Sequence, residues 1–183
     1  MDYYQPDFYR FNTDSLFLVD HALKRCNERS FLNVADFGAG CGVIGLELLQ
    51  RGGHFNRLDL IEYQKEYYPF LKKNIELFGN EKTRTLIEDF YKINNNYDLI
   101  LSNPPYFSPE ASRPSLNLNR KKCRSFVHGS MEDFLELIKD RLSPNGEAFV
   151  LVSRSEKFKI PFENYTELFL YKKISLLHFR LDK

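Results

Sequence analysis

The sequence predicts an α/β fold with a seven-stranded, mostly parallel sheet, an antiparallel last strand and helices on both faces. Three observations lead there. Strand-like runs alternate with helix-like runs along most of the chain, the pattern of parallel sheets with helical crossovers. The first strand runs straight into a glycine-rich turn and a helix, "FLNVADFGAGCGVIGLELLQ". The last two strands have no full helix between them, which reads as a closing antiparallel hairpin on the sheet edge. A chain of 183 residues suits one domain. The expected organisation is a single domain over 1–183, with an aromatic segment and helix in 1–30 and the core in 31–183.

Residues 1–13 are irregular but aromatic, with Tyr3, Tyr4, Phe8 and Tyr9 among the first nine. Helical spacing follows at Val19, Ala22, Leu23 and Cys26. After the first strand and its turn, "VIGLELLQR" is the second helix and Arg57–Glu62 the second strand. A third helix carries Tyr68, Leu71, Ile75 and Phe78 on one face, and Pro69 is tolerable only in its first turn. "TRTLIED" is the third strand and "YDLILSN" the fourth. After a long polar stretch, Ser130 and Asp133 form a capping box opening a helix through Leu142. "SPNG" is then a turn, "EAFVLVS" the fifth strand, and Thr166–Tyr171 and Leu176–Leu181 the last two.

Bulk properties narrow the class. Hydrophobic residues make up 43%, aromatics 15% and charged residues 28%, an ordinary globular balance rich in Phe and Tyr. The net charge of +1 does not by itself argue for nucleic acid. Cys26, Cys41 and Cys123 show no CxxC spacing, so neither zinc nor a disulfide framework is expected. An odd cysteine count without a signal peptide points to the reducing cytoplasm. No apolar run approaches the roughly 18 residues of a membrane-spanning helix. The expectation is a cytoplasmic monomer with no metal and no membrane contact.

Glycines at 38, 40, 42 and 45 let the backbone approach a nucleotide where no Cβ intervenes. The spacing decides which nucleotide. A dinucleotide fingerprint would want a small residue where Val43 stands, and there is no GK[ST] for a phosphate loop. Instead an acid, Asp36, precedes the glycines and suits a ligand with a cationic end. Glu62 ends the next strand, well placed for a ribose diol. Asp89, with Phe90 beside it, follows the third strand, where an adenine amino group could be met. Acid, glycines, acid, acid is the order expected for S-adenosyl-L-methionine. Taken singly, glycine turns and solvated strand-end acids are common in α/β folds, and only their joint order carries weight.

With those residues in view, the chain resembles the class I S-adenosylmethionine-dependent methyltransferases, a Rossmann-like fold. "DFGAGCG" matches their D/E-x-G-x-G-x-G motif, and their seventh strand is antiparallel. Asn103-Pro104-Pro105-Tyr106 is similar to the [DNS]-PP-[YFW] motif of members acting on planar NH2 groups. An adenine amino nitrogen is a poor nucleophile because its lone pair is delocalised into the ring. The resemblance implies two acceptors aimed at its N–H groups, the Asn103 side-chain oxygen and the Pro104 carbonyl. The prolines would stiffen that backbone, and Tyr106 would stack on the base. Read without the resemblance, the four residues are a stiff strand exit.

"YQPDFYRFNTDSLFLVD" is similar to the segment preceding the fold in the bacterial family that methylates adenine in valine tRNA. Tyr9, Arg10, Phe11, Asp14 and Ser15 carry the match, and it implies that Phe11, Asp14 and Ser15 wall the cofactor site; Asp14 equally suits a helix cap. Phe107 after the motif also matches. The family's Ala-Arg-His-Glu-like stretch is here Cys123-Arg124-Ser125-Phe126. Residues 108–125 hold Arg113, Arg120, Lys121, Lys122 and Arg124 against Glu110 alone, a basic run suited to phosphates or simply to water. The expected activity is methyl transfer to adenine N6 in RNA, most simply tRNA, with Phe107, Arg120, Lys121, Lys122 and Arg124 meeting substrate. Protein glutamine N5 or rRNA guanine N2 is the alternative acceptor, and an inactive scaffold is the alternative of a different class.

Overall fold

The computed structural model describes residues 2–105, 129–155, 157–171 and 173–182. Their elements are α1 (Thr13–Glu28), β1 (Phe31–Phe37), α2 (Val43–Gln50), β2 (Phe55–Ile61), α3 (Tyr68–Phe78), β3 (Thr83–Leu86), β4 (Tyr97–Ser102), α4 (Met131–Arg141), β5 (Leu142–Ser153), β6 (Tyr165–Tyr171) and β7 (Ile174–Arg180). Short 3-10 turns at Lys65–Tyr67 and Phe90–Lys92 precede α3 and β4. The strands form one sheet in the order β3-β2-β1-β4-β5-β7-β6. All neighbours pair in parallel except β7, which is antiparallel to both β5 and β6. The expected closing hairpin therefore forms, but β7 inserts beside β5 and leaves β6 outermost.

Why the central strands are apolar throughout is visible in their parity. Val34, Leu58, Leu60, Leu99, Leu101, Phe149 and Leu151 bury against Leu18, Val19, Leu46 and Leu71 from the first three helices. Ala35, Phe37, Ile100, Ala148, Val150 and Val152 bury on the other face with Phe134 and Ile138 of α4. A strand covered on both faces has no solvent side on which to place polar residues.

Local signals hold closely. Ser130 Oγ accepts from Asp133 N at 3.2 Å and Asp133 Oδ2 accepts from Ser130 N at 2.7 Å, the reciprocal cap that starts α4. Pro69 sits in the first turn of α3. Several boundaries differ. The third strand stops at Leu86, and α4 stops at Arg141 with Leu142 as its cap. The "SPNG" turn is absorbed into β5 as a bulge: Tyr97 pairs Leu142 but Leu99 pairs Glu147, and Asn145 takes a φ of 60°. No helix among the described residues is long and apolar enough to cross a membrane, and they contain no cluster of His, Cys, Asp and Glu able to hold a metal.

Candidate active site

The strand order reverses direction at β1 and β4, and a crevice opens past the carboxyl ends of strands at such a point. Phe37 pairs with Ser102 in the sheet, and Ser102 Oγ donates to Phe37 O at 2.7 Å. The glycine turn leaving β1 and the Asn-Pro-Pro corner leaving β4 thus start side by side, although some sixty positions separate them in the sequence.

The turn is held by β2. Gly38 N and Ala39 N both donate to Ile61 O at 2.9 Å. Gly40 N donates to Glu62 Oε2 at 2.7 Å, and Glu62 Oε1 accepts from Gln64 N at 2.7 Å. Gly40 and Gly42 take φ values of +56° and +81°, a region side-chain-bearing residues avoid. Asp36 lies fully buried behind the turn, with Oδ2 accepting from Gly45 N at 3.0 Å and Oδ1 without a hydrogen-bond partner. Burial pushes the Asp36 carboxyl up to about 7; the Gly45 N–H opposes this and the Glu62 charge adds to it. Burial likewise raises Glu62 to about 7 against the N–H groups of Gln64, Gly40 and Tyr63.

A cavity opens over this turn. Of the residues expected at a cofactor or in catalysis, Phe11, Ser15, Gly38, Gly40, Glu62, Asp89, Phe90, Asn103 and Pro105 line it. Asp89 caps the turn after β3, its Oδ1 accepting from Tyr91 N at 3.0 Å. Phe90 packs edge-on against Phe134 at 5.3 Å. Asn103 Nδ2 donates to Ser15 Oγ at 3.1 Å, so the first turn of α1 touches the corner directly.

Four expected residues do not line the cavity. Asp36 is enclosed behind the turn, where it braces α2. Gly42 is structural: a Cβ there would lie 2.7 Å from Leu71 Cδ1. Pro104 is buried outside the wall. Asp14 neither walls the cavity nor caps α1, whose cap position is Asn12; its carboxylate instead accepts from Tyr171 Oη at 2.6 and 2.9 Å. Tyr106, Phe107, Arg120, Lys121, Lys122 and Arg124 lie outside the described residues.

The lining also includes Gln5, Tyr9, Tyr63, Gln64, Tyr67 and Tyr91, none of which the sequence analysis assigned to the site, although Tyr9 was among the residues carrying the resemblance. The aromatic N-terminal segment was a signal for the first two. It crosses the molecule because Asn74, fully buried on α3, accepts from Tyr4 N at 2.8 Å and donates to both Tyr4 O and Cys41 O. Tyr3 Oη donates to Glu47 Oε1 at 3.1 Å on α2. Phe8 and Tyr9 then meet the Tyr67 ring edge-on.

These residues fit S-adenosylmethionine by the chemistry of their donors and acceptors. A buried carboxyl oxygen of Asp36 without a partner stands behind a turn that has no Cβ at Gly38, Gly40 and Gly42. Glu62 presents acceptors at the end of β2, and Asp89 with Phe90 offers an acceptor beside an aromatic face.

Comparison with known proteins agrees. The family model described as methyltransferase small domain matches residues 10–167. A Cytophaga hutchinsonii protein named tRNA1(Val) (adenine(37)-N6)-methyltransferase is 26% identical over 176 residues, covering 84% of this chain and 70% of its own length. A Pedobacter heparinus protein of the same name is 33% identical over 148 residues, covering 78% and 59%. The matched part of the chain therefore spans roughly three fifths to seven tenths of these two relatives. The T. thermophilus 16S rRNA N2 G1207 methyltransferase, solved in complex with AdoMet and guanosine, superposes with a TM-score of 0.67 at 21% identity, over 94% of this chain and 44% of that one. With a family match over most of its length and the sheet order described above, the chain belongs to the methyltransferase small-domain family, S-adenosylmethionine-dependent methyltransferases of the class I fold.

Proposed function

We propose that this chain, acting as a single cytoplasmic domain and a monomer, transfers a methyl group to the exocyclic N6 of an adenine in tRNA. The observation that carries the reading is the Asn103-Pro-Pro corner, which opens into the same cavity as the glycine turn and Glu62. The names of the relatives support tRNA adenine as the acceptor.

S-adenosylmethionine supplies an activated methyl on a sulfonium, so neither a metal nor a strong base is needed. Glu62, Asp89 and Phe90 are proposed to hold that group, with Gly38 and Gly40 giving it backbone clearance and Asp36 bracing the turn from behind. Asn103 and the Pro104 carbonyl accept from the two N6–H groups, which localises the nitrogen lone pair toward the methyl carbon. When bound, the cofactor would supply the methyl and carry away the C–S electron pair on its sulfur, while the corner holds N6 in line and the surplus N6 proton passes to water. Placed dipoles and alignment, rather than covalent chemistry by the protein, lower the barrier. Tyr106 and Phe107 are assigned to base stacking, and Arg120, Lys121, Lys122 and Arg124 to phosphates.

The test is incubation with methyl-labelled S-adenosylmethionine and unmodified tRNA, followed by nucleoside mass spectrometry. N6-methyladenine is expected. Asn103→Ala should lower turnover about 100-fold or more, by analogy with loss of one oxyanion-hole donor, and leave cofactor affinity intact. N2-methylguanine, or label only in protein, would overturn the adenine assignment.

A further inference from the structure

We infer that Ser15 is a positioning residue for Asn103, and that the Asp14–Tyr171 hydrogen bond anchors the helix start that carries it. The inference rests on the role of Asn103 proposed above.

An asparagine side chain ends in two chemically opposite groups, an acceptor oxygen and a donor NH2. Its terminal torsion is soft. Asn103 stands just beyond the last strand residue of β4, so the sheet ladder does not hold it. Chemistry that needs the oxygen facing the substrate therefore needs something to hold the nitrogen. Ser15 Oγ lies 3.1 Å from Asn103 Nδ2. Ser15 is 3% exposed and sits in the first turn of α1, so helical backbone rather than a loop sets its hydroxyl. A group on a regular element is a stiffer reference than one on a loop.

The same helix turn is itself tethered. Asp14, also 3% exposed, receives the Tyr171 hydroxyl at 2.6 Å on Oδ1 and 2.9 Å on Oδ2. Hydrogen bonds to a carboxylate are roughly twice as strong as neutral ones. Tyr171 is the last residue of β6, on the outer edge of the sheet. One line of contacts thus runs from the terminal hairpin, through the start of α1, to the amide at the corner. This explains why the Asp-Ser pair follows an aromatic segment that lines the cavity: Phe11 and Ser15 face the cavity while Asp14 turns to Tyr171.

The test reads the amide itself. In 15N-labelled protein the Asn103 side-chain NH2 signals are identified by their loss in Asn103→Ala. Ser15→Ala is expected to shift and broaden them, Ser15→Thr to restore them, and Tyr171→Phe to shift them by a smaller amount. In parallel, Ser15→Ala should lower kcat by about 10- to 100-fold, the scale of a small misplacement of a catalytic group, with the dissociation constant for S-adenosylmethionine changed less than about 2-fold. Unmoved Asn103 signals in Ser15→Ala, or a loss confined to cofactor affinity, would overturn the inference. The spectroscopic readout needs no acceptor: shifted signals alongside a wild type that leaves RNA unmethylated would sink the tRNA reading and leave the positioning role standing.

Discussion

A Cβ added at Gly42 would lie 2.7 Å from Leu71 Cδ1 and 3.1 Å from Leu46 Cδ1, at a φ of +81°. At Gly38 a Cβ would meet nothing within 4 Å, although φ is +74°. The two glycines therefore answer to different pressures. Gly42→Ala combines backbone strain with overpacking against α3 and should cost about 1–3 kcal/mol, read as a lower urea midpoint at unchanged slope. Gly38→Ala carries the backbone strain alone but puts a methyl into the cavity wall. Its loss of cofactor affinity by calorimetry should exceed its loss of stability. Equal stability losses in the two variants would show that the leucine contacts do not matter.

At the scale of elements, the N-terminal segment depends on one buried side chain of α3. Asn74 satisfies Tyr4 N, Tyr4 O and Cys41 O together, joining the segment that carries Gln5, Tyr9 and Phe11 to the glycine turn. Removing it takes these hydrogen bonds from Tyr4 N, Tyr4 O and Cys41 O, at about 0.5–1.5 kcal/mol for each bond. Asn74→Ala should weaken S-adenosylmethionine binding by about 10-fold or more, since that loss of pairing falls on the cavity wall. It should also expose residues 2–12 to limited proteolysis. Wild-type affinity in this variant would mean that the segment holds its place without the clasp.

The whole molecule is tied together by a charge away from the cavity. Glu147 on β5 is fully buried and bonded by Arg25 at 2.8 and 2.7 Å from α1, by Arg29 at 3.4 Å, and by His178 on β7 at 2.9 Å. Burial alone would raise its pKa, but the hydrogen bonds from Arg25 and His178 prevail and hold it at about 2, below the ordinary 4.5. A depressed carboxylate contributes stability that is present above its unfolded pKa and lost as pH falls through the folded one. Glu147→Gln should accordingly lower Tm at neutral pH, and the gap to wild type should close as pH falls from 4.5 toward about 2. A gap that stays constant down to that pH would deny the ionic contribution.

What the sequence by itself determined was local in cause. Alternating strands and helices, the Ser130–Asp133 cap, Pro69 in a first turn, positive-φ glycines after β1 and a donor-free Asn-Pro-Pro exit from β4 each depend on residues within a few positions of one another. Those signals sufficed for the fold class; of the nineteen residues that line the cavity, nine were among those expected, two of them, Phe11 and Ser15, through the family resemblance. Strand order decided the rest. Because β1 lies beside β4, the glycine turn and the Asn103 corner share a crevice. Because β2 flanks β1, Glu62 Oε2 accepts from Gly40 N of the turn while Oε1 accepts from Gln64 N, and the residue also lines the cavity. Asp36, legible as an acid before glycines, proved to be enclosed behind them. Asn103 reaches Ser15 across 88 residues and Tyr171 reaches Asp14 across 157. No spacing rule links such pairs, since only the assembled sheet brings the start of the first helix within reach of the ends of both the fourth strand and the sixth.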